Sequence, residues 1–290
     1  MFDPAPLVAL PPRPPDAHKG LFGRHLVLGG SRGLIGAAAM AGESAIRAGA
    51  GLVTIGCPRS IYPILAAKVT CPMTWPLPET DAESIDERAI APVLERADAE
   101  MDACAIGPGL GRHEATRRFV RMFVERVHKP FVCDADAIFA VADDTHALDR
   151  SRATGILTPH AGEMARLLGT TAALVQKDRV GAARRAAAAS GAVVLLKGHG
   201  TVVTDGARTE INRTGNPGMA TGGAGDVLTG IVATLLAQRF SAFDAARLGA
   251  HVHGLAGDLA RDRLGETSLI ATDLLESLPE AFRRLARRPS

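Results

Sequence analysis

A chain of 290 residues with a formal net charge of +2 is long enough for a large hydrophobic core and has no basic surplus to suit a nucleic-acid partner. Apolar residues make up 47% and charged residues 22%, which is ordinary globular composition and excludes a disordered chain. No apolar run approaches the ~18 residues of a membrane span, and no secretion signal is visible. We therefore expect a cytoplasmic protein without a membrane partner.

The chain begins with a proline-rich arm over residues 1–17, and residues 18–290 are expected to form one domain. From residue 25 onward, short apolar runs alternate with longer segments rich in Ala, Leu, Arg and Glu, which predicts βα units. Because the runs are almost continuously apolar, we expect strands covered by helices on both faces, as in an α/β fold with a mainly parallel sheet. The runs are residues 25–30, 52–57, 103–107, 131–136, 155–159 and 192–198.

The remaining segments give further local expectations. Residues 201–206 follow the last run so closely that a hairpin is predicted, and residues 71–100, the least regular part, are expected to hold an exposed loop. The chain from Ala224 onward is predicted to be helical, over residues 225–238, 242–260 and 270–286. The four cysteines contain no C-x-x-C pair, which favours small core residues in a reducing compartment.

Glycine-rich loops end several of the predicted strands, where ligands bind in open α/β sheets. GGSRGLIG, residues 29–36, is similar to the dinucleotide loop of short-chain dehydrogenases, but those enzymes need a Tyr followed four residues later by a Lys. The one tyrosine, Tyr62, is followed at that spacing by Ala66, so hydride transfer is not favoured. GGAGD, residues 222–226, lacks the Lys-Ser/Thr of a Walker loop.

GGAGD instead predicts an anion hole built from the backbone N–H groups of Gly222, Gly223, Ala224 and Gly225 at a helix start. Asp226 follows directly. We expect the helix dipole to keep this carboxylate ionised, so that it accepts the proton of a hydroxyl that attacks phosphorus. The alternative is that Asp226 only stabilises the first helical turn.

Six ordered motifs carry a family resemblance. NPGMATGGAGDVLTG, residues 216–230, resembles the C-terminal signature of the NAD(P)H-hydrate dehydratases, a ribokinase-like family. The other matching motifs are HKGLFGRHLVLGGSRGLIGAAAMA at 18–41, IGPGLGR at 106–112, DADAI at 134–138, LTPHAGEMARLL at 157–168 and KGHGTVV at 197–203. Together they cover residues 18 to about 260, which is far more specific than one glycine loop.

The resemblance implies a three-layer α/β/α sandwich that converts (S)-NADHX or (S)-NADPHX to NADH or NADPH, driven by ADP or ATP with Mg²⁺. The hydroxyl of the hydrated ring is phosphorylated and then eliminated. Two sets of site residues are implied by position. The substrate set is Ala37, Gly109, His160 and Asp226, and the nucleotide set is Lys197, Gly198, His199, Gly200, Thr201 and Gly225.

Other polar residues near these motifs have open roles. Glu163 could help to hold the phosphate-bound cation through water, and Asp134 and Asp136 could do the same or cap a helix. Ala224 stands where the family usually has Thr. His251 and His253 are spaced so that they face different sides of a helix and make a poor metal pair.

Two alternatives to the dehydratase remain open: a ribokinase-like kinase of a small alcohol such as a vitamin precursor, and a nucleotide-sensing module without catalysis. In many bacteria the dehydratase is fused behind an epimerase domain that interconverts the two hydrates. About 17 residues precede the first motif here, so we expect the epimerase on a separate chain. The family also implies a homo-oligomer, often a tetramer.

Overall fold

The computed structural model describes residues 7–144 and 146–286. Within them, nine strands form one sheet in the order β3-β2-β1-β4-β5-β6-β7-β8-β9. The strands are Arg24–Leu28 (β1), Leu52–Pro58 (β2), Met73–Leu77 (β3), Ala103–Ile106 (β4), Phe131–Cys133 (β5), Gly155–Leu157 (β6), Val193–Leu196 (β7), Val202–Thr204 (β8) and Thr209–Ile211 (β9).

The same residues contain twelve α-helices, most of which connect one parallel strand to the next. They are Ile35–Arg47 (α1), Tyr62–Lys68 (α2), Ile90–Glu100 (α3), Glu114–Arg126 (α4), Asp136–Val141 (α5), His146–Asp149 (α6), Ala161–Leu167 (α7), Ala172–Lys177 (α8), Arg179–Ser190 (α9), Ala224–Ala237 (α10), Ala242–Leu264 (α11) and Ala271–Ala286 (α12). None of the described helices is both long and apolar enough to cross a membrane.

The sheet is parallel from β3 through β7, and β7, β8 and β9 are joined antiparallel. Every residue of β4 and of β7 is buried, because helices cover both faces of the sheet. One face packs against α3, α4, α5, α7 and α9, and the other against α1, α10, α11 and α12. The predicted three-layer α/β/α sandwich with a mainly parallel sheet is confirmed, as is the β7–β8 hairpin.

The last three helices are also confirmed, with ends shifted by up to four residues. α10 is buried on almost all sides, because α1 and α11 cover the faces that the sheet leaves free. Gly230 permits the close crossing of α1 and α10, since a Cβ there would overlap the carbonyl oxygen of Ala41. This crossing fixes α10 against the centre of the molecule, with its N-terminus directed to the polar residues described below.

Two expectations were wrong in part. Residues 71–100 contain the edge strand β3 and the helix α3 around a loop, and β3 was missed because Pro76 interrupts its β-rich pattern; proline is tolerated at a sheet edge, where one side of the strand has no partner. Cys57, Cys104 and Cys133 are buried as expected, whereas Cys71 is exposed.

The N-terminal arm is described from residue 7, and residues 1–6 lie outside the described part. Leu7 and Leu10 pack against the layer formed by α10, α11 and α12. Arg13 donates a hydrogen bond of 2.8 Å to the carbonyl of Gly49 and stacks 3.9 Å above the ring of Phe22. The described part of the arm therefore lies on the body of the protein.

Candidate active site

The polar loops of the sequence motifs meet at the carboxyl edge of the sheet. Strand β1 pairs with β2 on one side and β4 on the other, so the chain order reverses there, and such reversals create ligand-binding crevices. The loops after β1, β4, β5, β6 and β7 all begin at this edge, because these strands are parallel. The N-terminus of α10 reaches it too, since a Cβ at Gly225 would lie 3.4 Å from Nζ of Lys197.

A buried ion pair between Asp134 and Lys197 lies at the centre of this edge. Asp134 follows β5, is 1% exposed, and accepts hydrogen bonds from Nζ of Lys197 at 2.6 Å and from the hydroxyl of Thr229 at 2.7 Å. Burial favours a lower pKa for Lys197, but Asp134 and Glu163 outweigh it and the pKa is raised. Lys197 is therefore a charged, partner-bound residue rather than a solvated strand-end lysine.

The segment between Asp134 and α5 is strained. Ala135 has φ +49°, a conformation that costs a side-chain-bearing residue ~1–3 kcal/mol and is found most often at functional sites. The next residue, Asp136, accepts hydrogen bonds from the amide of Gly111 at 3.0 Å and from Arg112 at 3.2 Å. The two carboxylates of DADAI thus have different partners, and the side chain of Asp134 does not cap α5.

The start of α10 has the form expected of an anion site. Gly223 precedes the helix with φ +94°, and a Cβ there would overlap Met40. Within the described chain, the amides of Gly222, Gly223 and Gly225 donate to no backbone carbonyl, while that of Ala224 is 3.4 Å from the carbonyl of Thr221. Three of the four predicted N–H groups are therefore available to an anion beside Lys197.

Asp226 is the third residue of α10, and its protonation differs from the sequence-based expectation. Burial raises the pKa of Asp226 to about 7, and the negative charge of Asp134 adds to this effect against the opposing charge of Lys197. The expectation that the helix dipole keeps this group fully ionised is wrong, because burial and neighbouring carboxylates dominate. A pKa near the working pH suits a group that must accept a proton.

His160 and Glu163 form a capping box at the N-terminus of α7. Nδ1 of His160 accepts from the amides of Gly162 and Glu163, and the Glu163 carboxylate accepts from the amide of His160 at 2.7 Å. The carboxylate also lies 3.8 Å from Nζ of Lys197, and burial raises its pKa against the effect of that lysine. His160 therefore caps a helix, and its contact with substrate stays a prediction.

The predicted substrate positions Ala37 and Gly109 lie side by side. Gly109 has φ +62°, and a Cβ there would lie 2.6 Å from the carbonyl oxygen of Leu34 and 3.1 Å from Cβ of Ala37. The hydroxyl of Ser31 donates to the carbonyl of Gly109 at 2.9 Å. The loops after β1 and β4 are thereby held together in a contact that leaves no room for a side chain at residue 109.

The predicted nucleotide segment, residues 197–201, forms the turn of the β7–β8 hairpin. Thr201 donates to the carbonyl of Gly198 at 3.0 Å, and Arg179 donates to the carbonyls of Leu196 and Lys197 at 3.0 and 3.2 Å. His199 is exposed on this turn. Gly198 and Gly200 have φ of +136° and +62°, so both suit glycine. The structure thus brings Lys197 and Gly225 together and leaves His199 at the surface.

Three site residues were missed from the sequence: Arg179, Thr229 and His253. Thr229 binds Asp134 one helical turn after Gly225, and Nε2 of His253 donates to the carbonyl of Ala224 at 2.8 Å. The signal for Thr229 was a hydroxyl within an otherwise apolar helix. His253 was noted only as a poor metal ligand, and Arg179 gave no signal.

The donor set suits a magnesium ion that is bound mainly by a substrate. No cluster of three or more His, Cys, Asp or Glu side chains that could hold a metal occurs in residues 7–144 and 146–286. Both oxygens of Asp134 have partners, and Glu163 accepts from a backbone amide. Mg²⁺ usually keeps several waters and binds through one or two carboxylates plus substrate phosphates. The site therefore fits a nucleotide-bound ion.

The sequence of this chain is similar to that of one known protein family. The family model described as NAD(P)H-hydrate dehydratase matches residues 25–280, which include every loop of the site. This chain belongs to the NAD(P)H-hydrate dehydratase family. Solved structures that share the fold of this family member include one of the ribokinase-like superfamily, so the ribokinase-like prediction is confirmed.

Three relatives are similar to this family member over most of its length. The bifunctional NAD(P)H-hydrate repair enzyme Nnr of Moorella thermoacetica is 51% identical over 95% of this chain and 52% of its own length. The ADP-dependent (S)-NAD(P)H-hydrate dehydratase of Neisseria meningitidis is 41% identical over 87% of this chain and 82% of its own.

The third is a crystal structure of the ADP/ATP-dependent NAD(P)H-hydrate dehydratase of Bacillus subtilis, co-crystallised with ATP/Mg²⁺. It is 31% identical, covers 96% of this chain and 95% of its own, and has a TM-score of 0.81. This dehydratase family member spans about half the length of the bifunctional relatives that it matches.

Proposed function

We propose that this protein dehydrates (S)-NADHX and (S)-NADPHX to NADH and NADPH, with ADP converted to AMP and phosphate. The observation that carries the proposal is the position of Asp226, whose pKa is raised to about 7, directly after the three free N–H groups of the α10 start. An anion site and a proton acceptor adjoin each other, as phosphoryl transfer to a hydroxyl requires.

Asp226 accepts the proton of the hydroxyl on the hydrated nicotinamide ring as that oxygen attacks the terminal phosphorus of ADP. The bond from phosphorus to the bridging oxygen breaks, and AMP leaves. The N–H groups of Gly222, Gly223 and Gly225 bind the transferred phosphoryl oxygens, and Lys197 adds positive charge beside them. Positioning and electrostatic stabilisation are the main contributions that a protein makes to this step.

Elimination completes the reaction. The bond between the ring carbon and the phosphorylated oxygen breaks, phosphate leaves, and the neighbouring carbon loses a proton to water as the double bond of the dihydronicotinamide forms. Asp226 then releases its own proton to solvent. Ala37 and Gly109 would contact the hydrated dinucleotide, together with His160. Residues 198–201 would contact the nucleotide.

Magnesium would be held by the nucleotide phosphates, with Glu163 acting through water. Its chemistry at this site is to offset charge on the phosphates. The proximity of Glu163 to Lys197 at 3.8 Å supports this assignment, because the carboxylate then lies at the edge of the anion site.

Further parts of the proposal concern the whole protein. We propose one domain over residues 18–290, of which residues 145 and 287–290 lie outside the described part. We also propose a homotetramer and a cytoplasmic location in which the free cysteines stay reduced. A separate epimerase chain would supply the S form of the hydrate. These statements are supported by the family resemblance and stay predictions.

The test is a direct assay. Purified protein is incubated with (S)-NADHX or (S)-NADPHX, Mg²⁺ and either ADP or ATP, while the near-ultraviolet absorbance of the reduced nicotinamide is followed. We expect absorbance to recover with stoichiometric release of phosphate. If neither nucleotide restores absorbance, the proposal is wrong and the small-alcohol kinase becomes the leading alternative.

A further inference from the structure

The start of α10 is held from a second helix by His253, a residue that the proposed reaction does not use. His253 lies on α11, and its Nε2 donates a hydrogen bond of 2.8 Å to the carbonyl of Ala224. A carbonyl can only accept, so Nε2 must carry the ring proton. Ala224 is the first residue of α10 and precedes Asp226 by two positions.

The need for such support follows from the sequence of the helix start. Gly223 stands at the N-cap position, and no side chain caps α10. At a helix start the first N–H groups have no intrahelical partners, so the first turn is held by fewer bonds than the rest of the helix and frays unless other contacts fix it. Here the carbonyl of the first residue accepts a hydrogen bond from His253, and the hydroxyl of Thr229, one turn further along α10, donates to Asp134. The start of α10 is thus held from α11 by His253 and from the loop after β5 by Asp134.

His253 provides this contact without adding charge. Burial lowers the pKa of His253 to about 4; the hydrogen bond to Ala224 acts in the opposite direction, and the charge of Lys197 lowers the pKa further. The imidazole is therefore neutral near pH 7. A positive charge at this position would favour the ionised form of Asp226, whereas a neutral donor leaves its raised pKa in place.

The helix that carries His253 also anchors the chain that leads into the glycine loop. The carboxylate of Asp258 accepts hydrogen bonds from the amide of Gly215 at 2.9 Å and from the side chain of Asn216 at 3.1 Å. Thr214 donates to the carbonyl of His251 at 2.9 Å. The segment that precedes the glycine loop is thus bound to α11 through Thr214, Gly215 and Asn216. The residue that follows Gly223, Ala224, is bound to the same helix through His253.

We propose that His253 is a positioning residue for the dehydration site: its bond to the Ala224 carbonyl fixes the first turn of α10, and thereby Asp226 and the free N–H groups. The inference rests on the proposed function for the role of Asp226. Since His253 contacts the site through backbone, its loss should lower kcat more than it raises the KM for (S)-NADHX. Misplacement of a reacting group by about 1 Å costs on the order of 10²-fold in rate.

Three substitutions at this position separate the hydrogen bond from the presence of a side chain. Glutamine places its amide nitrogen as many bonds from Cα as Nε2 of histidine, whereas the amide of asparagine is one bond shorter and leucine has no donor. We expect His253→Leu and His253→Asn to lower kcat by roughly 10- to 100-fold with KM for (S)-NADHX within about threefold. His253→Gln should stay within about fivefold of the parent protein, since it restores the bond.

Hydrogen–deuterium exchange of peptides covering residues 222–229 provides a readout that does not depend on turnover. Exchange should be faster in the Leu and Asn variants than in the parent and the Gln variant. His128→Leu is the control, because His128 binds Asp98 at 2.8 Å on an exposed surface, and it should change neither kcat nor this exchange. If the parent protein shows no dehydratase activity, the proposed function fails while the exchange data still test the contact.

The inference is overturned if His253→Leu leaves kcat and exchange unchanged, or if the Gln variant loses as much activity as the Leu variant. A loss of activity that is confined to KM would also contradict it. Should the Leu variant fail to fold, the comparison of Asn with Gln decides the matter, since both are polar and only one reaches the carbonyl.

Discussion

Asp226 should control the pH dependence of turnover. Its pKa is raised to about 7 by burial and by Asp134, so below that pH most molecules carry a protonated, inactive carboxyl. A single group with this pKa is about one-tenth ionised at pH 6 and about nine-tenths ionised at pH 8. The kcat/KM for (S)-NADHX should therefore rise about tenfold between pH 6 and pH 8, with its midpoint near 7.

Asp226→Asn is the matching perturbation. Asparagine keeps the size of the side chain but accepts no proton, and loss of a general base usually lowers turnover by ~10²–10⁴. We expect the variant to bind ADP, to lose turnover by that factor, and to lose the rise between pH 6 and pH 8. Asp205→Asn is the control. Asp205 accepts a hydrogen bond from Arg208 in the β8–β9 turn, which lies at the amino ends of the parallel strands, away from the site.

The assay is the recovery of nicotinamide absorbance at fixed ionic strength, with thermal unfolding measured on each protein. A flat profile in the parent protein, or a midpoint near the ordinary aspartate value of about 4, would refute the argument that burial sets the proton affinity of Asp226. Normal turnover by the Asn variant would refute its role as base.

Three further predictions concern stability and nucleotide affinity. His25 is fully buried on β1 with neither ring nitrogen hydrogen-bonded, and burial lowers its pKa from 6.5 to about 3. The unfolded state therefore binds the proton first as pH falls below 6.5, so this group lowers the free energy of unfolding by about 2 kcal/mol between pH 7 and pH 5. Urea unfolding of His25→Leu should lack that part of the pH dependence, and an unchanged dependence would contradict this account. Lys197→Met should destabilise the protein by roughly 3–5 kcal/mol because Asp134 is left buried and unpaired. The double variant Lys197→Met with Asp134→Asn should recover part of that loss in the same measurement. If the losses in free energy of unfolding of the two single variants simply add in the double variant, the ion pair is contradicted. Ala224→Thr should lower the Kd for ADP by roughly 2- to 10-fold, since the added hydroxyl supplies one hydrogen bond to phosphate. Calorimetric titration measures this Kd, and an unchanged value would contradict the prediction.

Most of the fold could be predicted from the sequence, because its strands and helices are marked by patterns within short segments of the chain. Apolar runs bounded by glycine marked the buried strands, and the helical pattern after Ala224 was continuous. Strand β3 escaped detection because Pro76 conflicts with a strand pattern unless the strand lies at an edge, and edge position is a property of the whole sheet.

The candidate site was predictable in its residue types and less so in its interactions. Asp134 and Lys197 are 63 residues apart, and nothing in either motif indicates that they form a buried pair. The proton affinity of Asp226 depends on burial and on Asp134, which the local sequence does not contain. The support from His253 was missed for the same reason, since it joins two helices through a backbone carbonyl.

The charges at the carboxyl edge of the sheet do not balance. Lys197 lies within electrostatic range of Asp134, Glu163 and Asp226, so three acidic groups face one basic group there before a nucleotide adds its own negative charge. Binding of a polyanion there must be linked to uptake of protons or cations. Nucleotide affinity therefore weakens as pH rises through about 7, while the proton acceptor becomes active over the same range. At saturating ADP the rise of kcat/KM between pH 6 and pH 8 remains, whereas at low ADP the weaker binding of nucleotide at high pH opposes it.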